Sequence, residues 1–153
     1  MPGETTLAAG LTRSRRQRVG AALCALSLLF VLSGCMSADQ QVAFNWLKWS
    51  RAERGLPELM WNRAAQDRAQ AWADHLAAVG DLSHSDLHAT LAATGARAAA
   101  ENVGVGPSVE AVHQGLLGSP PHLANLVGPY THVGVGVARN GDRVFVVQLF
   151  LTL

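Results

Sequence analysis

The first helical pattern in the hydrophobic and polar positions of this chain lies between residues 37 and 55. Apolar residues recur there three and four positions apart. Ser37 and Gln40 have the spacing of a capping box, and Gly55 is placed to end the helix. The predicted stripe consists of Val42, Trp46, Trp49 and Glu53, with Phe44 and Leu47 alongside it.

A second and clearer helix is predicted between Asn62 and Gly80. Asn62 can cap its start and Gly80 can end it. Pro57 disfavours a helical residue before it, so residues 56–59 form an extended connector. The apolar stripe of this helix is Ala65, Ala69, Trp72, Leu76 and Val79.

The second half of the chain mixes helical and strand patterns. Residues 81–97 include an alanine-rich stretch that fits a helix broken near Gly95, without fixed boundaries. We predict a short strand at 101–105, helices that begin after Ser108 and Ser119, and two long strands joined by an Asn140-Gly141 turn. This order favours a single α+β sandwich domain.

The start of the chain has the three zones of a signal peptide. A basic stretch precedes an apolar run from Val19 to Leu32, and Ser33-Gly34 follows. The run is shorter than the about twenty residues of a membrane-spanning helix. Leu32-Ser33-Gly34-Cys35 resembles the bacterial lipobox. We therefore expect a signal peptide over residues 1–34 that is removed, a lipidated Cys35 with a tether over 35–40, and a domain over 41–153.

Removal of the signal peptide changes the charge and the cysteine content. Four arginines and one glutamate leave with residues 1–34, which takes the net charge from +1 to −2. A mildly acidic domain without a basic run argues against a nucleic-acid partner. Cys24 leaves with the signal peptide and lipid occupies Cys35, so the mature domain has no disulfide. We expect a monomer.

Three residues stand out as candidates for chemistry: His84, Glu101 and His122. Each lies at an element boundary beside small or turn-forming residues. Two imidazoles and a carboxylate suffice for a divalent metal, with zinc as the natural candidate, or for acid and base groups. Their spacing matches no short ligand motif. The other histidines are expected at the surface or in packing, and no nucleophile elbow or free mature cysteine points to a serine or cysteine hydrolase.

An ordered set of short motifs resembles the CAP domain of cysteine-rich secretory, antigen 5 and pathogenesis-related 1 proteins, in its compact bacterial, SCP-like form. The set runs from Phe44 to Leu151 and comprises Arg51-Ala-Glu-Arg-Gly-Leu-Pro-Glu-Leu-Met-Trp-Asn62, Ala71-Trp-Ala-Asp-His-Leu-Ala77, His84-Ser85, Glu101-Asn102-Val103, Ser119-Pro-Pro-His122, Asn125 and Val133-Gly-Val-Gly-Val137.

The resemblance implies an α-β-α sandwich with a small antiparallel sheet between helical layers. It also implies a central cleft in which His84, Glu101 and His122 match the family's two histidines and one acidic residue. Some members bind zinc through the two histidines, and several bind sterols or other lipids. Ala100 and Pro121 replace usual glycines, Leu116 replaces a usual tryptophan, and the second acidic cleft residue has no clear counterpart.

These expectations favour a binding module without catalytic activity, held by Cys35 at the extracytoplasmic face of a membrane. Its ligand would be a small apolar molecule, such as a lipid or sterol, or a wall component. One alternative is a metal-dependent hydrolase or peptidase, in which His84 and His122 hold a metal-activated water and Glu101 is the base. The other is an envelope scaffold in which the three residues form a buried polar network.

Overall fold

The computed structural model describes residues 36–153, so the expected signal peptide and Cys35 lie outside the described residues. Residues Met36–Leu153 form one compact unit. No helix within this part of the chain is long and apolar enough to cross a membrane. The elements, in chain order, are α1 (Ala38–Ala52), β1 (Met60–Trp61), α2 (Arg63–Val79), α3 (Leu87–Thr94), β2 (Ala98–Gly106), α4 (Val109–Leu117), α5 (Pro120–Val127), β3 (His132–Asn140) and β4 (Arg143–Thr152).

The four strands form one sheet in the order β1-β3-β4-β2. The three long strands pair antiparallel, as expected, whereas the two residues of β1 pair parallel with the start of β3. The β3–β4 turn leaves Gly141 and Asp142 outside the strands, and Gly141 has a φ of 58°. Strand β2 covers nine residues and is longer than the sequence pattern predicts.

Helical layers cover both faces of the sheet, which confirms the α-β-α sandwich. Because side chains alternate along a strand, β2 and β4 each contribute to two separate cores. One core joins α1 and α4 to the sheet through residues such as Leu47, Leu116 and Val135. The other joins α2 to the sheet through residues such as Leu76 and Phe145.

Helix α1 begins with the predicted capping box, but its buried face differs from the predicted stripe. Ser37 Oγ accepts from Gln40 N at 3.2 Å, and Gln40 Oε1 accepts from Ser37 N at 2.6 Å. The core takes Ala43, Phe44 and Leu47. The stripe of Val42 and Trp49 is instead exposed, by 43% and 49% respectively. Both sides of α1 carry apolar residues, and only packing decides which side is buried.

Helix α2 lies so close to β3 that its backbone touches the strand. A Cβ at Gly134 would lie 2.2 Å from Ala65 C, and one at Gly136 would lie 2.0 Å from Ala69 O. Side chains at these glycines would therefore displace the helix. The alternating glycines of β3 and the small alanines of α2 together permit this close packing.

Two glutamines of α2 complete the outer edge of β3, which β1 covers only at its start. The Gln66 side chain donates to Val135 O at 2.8 Å and accepts from Val135 N at 3.0 Å. Gln70 makes the same pair of bonds with Val137, at 2.9 and 3.0 Å. Each side-chain amide thus takes the place of a peptide group on a neighbouring strand.

Arg51 joins the end of α1 to the end of α5. Its side chain is buried and donates to three backbone carbonyls: Pro57 O at 3.0 Å, Leu126 O at 2.7 Å and Gly128 O at 3.0 Å. Two of these carbonyls belong to the C-terminal region of α5, where the helix dipole is negative. Burial lowers the pKa of the Arg51 guanidinium.

Candidate functional site

The candidate site is built around two neighbouring residues of β2, Glu101 and Asn102. Both are buried, and because successive side chains of a strand point to opposite faces, they serve opposite sides of the sheet. Glu101 holds the loop between α2 and α3, which carries His84 and Ser85. Asn102 holds α5, which carries His122. Strand β2 therefore joins the two histidines.

The Glu101 carboxylate is enclosed and fully engaged by the α2–α3 loop. Its Oε1 accepts from His84 Nδ1 and from Ser85 N, both at 2.9 Å, and its Oε2 accepts from Ser85 Oγ at 2.5 Å. The Glu101 side chain is 1% exposed, whereas that of His84 is 59% exposed. Glu101 thus fixes the orientation of an accessible histidine.

The contact with Glu101 also selects the tautomer of neutral His84. A carboxylate accepts hydrogen bonds, so Nδ1 must carry the proton and Nε2 keeps its lone pair. Carboxylates orient metal-binding histidines in this way. His84 Nε2 has no hydrogen-bond partner within the described residues and can bind a ligand.

His122 is oriented by different partners. Its Nδ1 lies 2.9 Å from Ser119 Oγ, one turn earlier, and its carbonyl accepts from Asn102 Nδ2 at 3.0 Å. Ser119 occupies the N-cap of α5 but makes no capping bond through its side chain. Among the described residues, His122 makes no hydrogen bond to His84 or Glu101. The structure therefore joins His84 directly to Glu101 and connects His122 to them through the strand.

A network of side-chain amides holds α5 against β2. Asn125 Nδ2 donates to Glu101 O at 3.2 Å and to Asn102 Oδ1 at 3.0 Å. Asn102 Nδ2 also donates to Gln148 Oε1 at 3.1 Å. The quoted sequence motifs contain Ser85, Asn102 and Asn125, but none of the three was assigned to the site. A further signal was Gln148, a polar residue within the apolar pattern of β4.

A surface cleft of about 310 Å³ adjoins the His84 loop. It is lined by Arg68, Ala71, Trp72, Ser85 and Asp86. Trp72 Nε1 donates to Ser83 O at 2.9 Å, which fixes the indole against the loop. The cleft offers an aromatic wall and charges of both signs, next to the serine that binds Glu101.

A divalent metal site was expected at His84 and His122, with Glu101 nearby. Within residues 36–153, no three His, Cys, Asp or Glu side chains are arranged to hold a metal ion. His84 Nε2 and His122 Nε2 fit zinc as nitrogen ligands, whereas zinc sites usually have three or four protein ligands. The bonds of Glu101 place it behind His84. Zinc binding by the two histidines stays a prediction.

His113 lies elsewhere and is the most enclosed histidine. It is 2% exposed, its Nε2 lies 2.7 Å from Ser50 Oγ, and its buried Nδ1 has no hydrogen-bond partner. The Trp46 ring stacks on it at 5.8 Å between centroids. Burial, with a smaller contribution from the charge of Arg54, lowers the pKa of His113 to about 4. This residue belongs to the α1–α4 contact.

Comparison with known proteins now identifies the family. The sequence model of the cysteine-rich secretory protein family, CAP, matches residues 44–150. The chain belongs to the CAP family. The match includes His84, Glu101 and His122, and it leaves the first turn of α1 outside the CAP domain as the family model defines it. A search of curated proteins found no match.

Several solved CAP structures resemble this CAP domain. An extracellular SCP-domain protein from Bacillus anthracis is 25% identical, with a TM-score of 0.67 over 78% of this chain and 45% of the other. An outer surface protein from Borrelia burgdorferi is 16% identical, with a TM-score of 0.68 over 74% and 92%. A cysteine-rich secretory protein from Staphylococcus aureus is 18% identical, with a TM-score of 0.62 over 75% and 39%. The chain thus spans less than half of the Bacillus and Staphylococcus proteins.

Proposed function

We propose that this CAP protein is an exported lipoprotein, anchored through Cys35, that binds a small apolar molecule or a wall component at the cell envelope. The ligand would contact His84 and His122, whose elements β2 connects, and the cleft beside the His84 loop. The observation that most directly supports this proposal is that buried Glu101 orients the exposed His84 ring and leaves the Nε2 of His84 free. A preorganised, accessible nitrogen beside a cleft is suited to ligand binding.

Export and lipid anchoring are supported by the N-terminal sequence and by the similar proteins. The three-zone N-terminus ends in a lipobox-like Cys35, and no cysteine follows it. The folded unit begins directly after it, at Met36. The similar proteins from Bacillus anthracis and Borrelia burgdorferi are described as extracellular and outer surface proteins.

The geometry of Glu101 favours binding over hydrolysis. A general base must reach the water that it deprotonates. Both oxygens of Glu101 are already bonded to His84 and Ser85, and its side chain is 1% exposed. In the hydrolase alternative this residue would have to release its partners and turn towards solvent. We therefore assign Glu101 a positioning role.

Zinc, if bound, would be held by the Nε2 atoms of His84 and His122, with Glu101 behind His84. It would supply a positive charge for a carbonyl or anionic group of the ligand. Carboxylates in this position typically contribute about 10- to 100-fold in metal affinity. We expect Glu101→Gln to weaken zinc binding by about that factor.

The test uses the purified mature protein and two measurements. Ligand extraction followed by mass spectrometry, and titration with lipids and wall fragments, should identify a bound molecule. Its binding should be lost in the His84→Ala, His122→Ala double variant and retained in the control His88→Ala, which changes another exposed histidine. A protein that purifies empty and binds neither class of ligand, or a double variant that binds normally, would contradict the proposal.

A further inference from the structure

Helix α1 carries an apolar patch that consists of Val42, Trp46 and Trp49. These side chains lie one turn apart and, with Asn45, line a surface groove of about 340 Å³. Val42 and Trp49 are 43% and 49% exposed. Trp46 is held in place, because it stacks on His113 and meets Trp49 edge-on at 5.4 Å. The opposite side of α1 is buried in the core, so the patch is a second apolar face.

Asp39, one turn before Val42, carries the charge at the N-terminal end of this face of α1, and its Oδ2 accepts from Arg139 Nε at 2.8 Å. The exposed residues beside the patch are Gln41 and Asn45, whose side chains bond to each other at 2.9 Å, and Glu53 follows only after the last turn. The patch itself contains no charged side chain, and the Asp39 carboxylate at its border is already paired with Arg139. This composition suits an environment that is apolar on one side and polar on the other.

Within the described residues, contacts to the domain begin at Met36, which follows Cys35 in the sequence. Met36 packs against the core and Ser37 is held in the capping box of α1. Since one residue spans at most about 3.6 Å, a group attached to Cys35 stays close to the first turn of α1. Met36 and Ser37, within the tether expected over 35–40, are thus fixed to the domain, and α1 begins at Ala38.

We propose that the apolar patch inserts into the interface of the membrane that holds the lipid of Cys35. This inference rests on the lipid anchoring proposed above. The patch begins seven residues after the attachment point and extends about 10 Å along α1, so the helix would lie parallel to the bilayer surface. Tryptophan prefers this interface, because its ring is apolar and its indole N–H can bond to headgroups.

This contact would orient the whole domain. Helix α1 covers one face of the sheet, whereas α2 and the loop that carries His84 lie on the other face. With α1 on the bilayer, His84 and the cleft lined by Trp72 face away from it. The geometry then favours a ligand that approaches from the wall or from solution over a lipid drawn from the same membrane.

Quenching of tryptophan fluorescence tests the contact. The lipidated full-length product is reconstituted in phosphatidylcholine–phosphatidylglycerol vesicles whose acyl chains carry bromine. The Trp61→Phe, Trp72→Phe variant keeps the two patch tryptophans, and the matched Trp46→Phe, Trp49→Phe variant keeps the other two. We expect several-fold stronger quenching in the first variant. Equal quenching in both, or none in the first, would overturn the inference.

Two further measurements separate the possible failures. Mass spectrometry reports the lipid on Cys35: an unmodified Cys35 overturns both anchoring and the inference, whereas a lipidated protein without patch quenching overturns the inference alone. Variants with one substituted tryptophan repeat the test without relying on the folding of the double variants. In the otherwise native chain, Trp49→Gln should remove more of the quenching than Trp61→Gln, which changes an exposed tryptophan of β1. An equal loss would contradict the contact.

Discussion

The enclosed His113 should make the stability of this domain fall in mildly acidic solution. Its pKa is about 4 in the folded protein, against an ordinary value of 6.5, because burial disfavours the charged ring and Arg54 adds repulsion. Between these values the unfolded chain binds a proton that the folded chain does not. The stabilisation is therefore complete above pH 6.5 and is lost as the pH falls towards 4.

The size of the effect follows from the two pKa values. Each unit of difference corresponds to about 1.4 kcal/mol, so His113 alone should lower the free energy of unfolding by ~2 kcal/mol at pH 5 relative to pH 7. Below about pH 4 this contribution stops growing, because the folded protein also takes up the proton. A loss of this size is a large part of the stability of a small domain.

Urea unfolding at pH 7 and pH 5, followed by tryptophan fluorescence, measures the contribution. The test variant is His113→Phe with Ser50→Ala, which removes the titrating ring together with its hydrogen-bond partner. Its loss of stability between the two pH values should be ~2 kcal/mol smaller than that of the native chain. The control His88→Gln, at an exposed position, should behave like the native chain. An equal loss in the His113 variant would refute the reasoning.

Substitutions at Gln66, Gly136 and Arg51 test the packing by urea unfolding, with Gln41→Ala and Gly115→Ala as controls. Gln66→Ala leaves two buried groups of β3 without partners and should cost about 2–4 kcal/mol, against less than about 0.5 for exposed Gln41→Ala; similar costs would contradict the role of the glutamine amide. Gly136→Ala should prevent stable folding, because its Cβ would meet α2 backbone at 2.0 Å. Gly115→Ala, with nothing within 4 Å, should stabilise α4 by up to about 1 kcal/mol. Arg51→Met should cost about 2–4 kcal/mol by leaving buried carbonyls unpaired, and a neutral result would rule out this role.

Local signals predicted much of the secondary structure because they act within a few residues. Asn62 caps α2 through a bond to Ala65 N at 2.9 Å, and Gly80 ends it with a φ of 76°. Gly95, where a break was expected, ends α3 with a φ of 67°. The valine–glycine alternation of β3 marks a strand, and the structure supplies its reason in the close approach of α2.

Features that depend on distant contacts were not predictable in the same way. Val42, Trp46 and Trp49 form as good a helical stripe as the residues that are buried, so the sequence pattern does not distinguish the two faces of α1. Strand β1 has only two residues, and its partner lies about seventy positions later. A pattern within one segment carries no information about such a pairing.

The candidate site also depends on contacts between residues that are distant in the sequence. His84 and Glu101 are 17 positions apart and lie on different elements, so their 2.9 Å contact follows from the fold and was expected only through the resemblance to CAP proteins. Burial of the carboxylate was expected only in the scaffold alternative, as part of a buried polar network. It depends on Ser85, whose backbone and hydroxyl both bind Glu101 and whose role the His84-Ser85 motif did not specify.

The glutamine amides of α2 have a consequence for folding. An open strand edge can recruit a strand from another molecule, which is a common route to aggregation. Here the edge of β3 is closed by side chains of a helix, so it is protected only after α2 has docked. A folding intermediate with a formed β3–β4 hairpin and an undocked α2 would expose valine-rich backbone to other chains. Conditions that delay α2 docking should therefore promote aggregation during refolding, even where the native protein remains soluble.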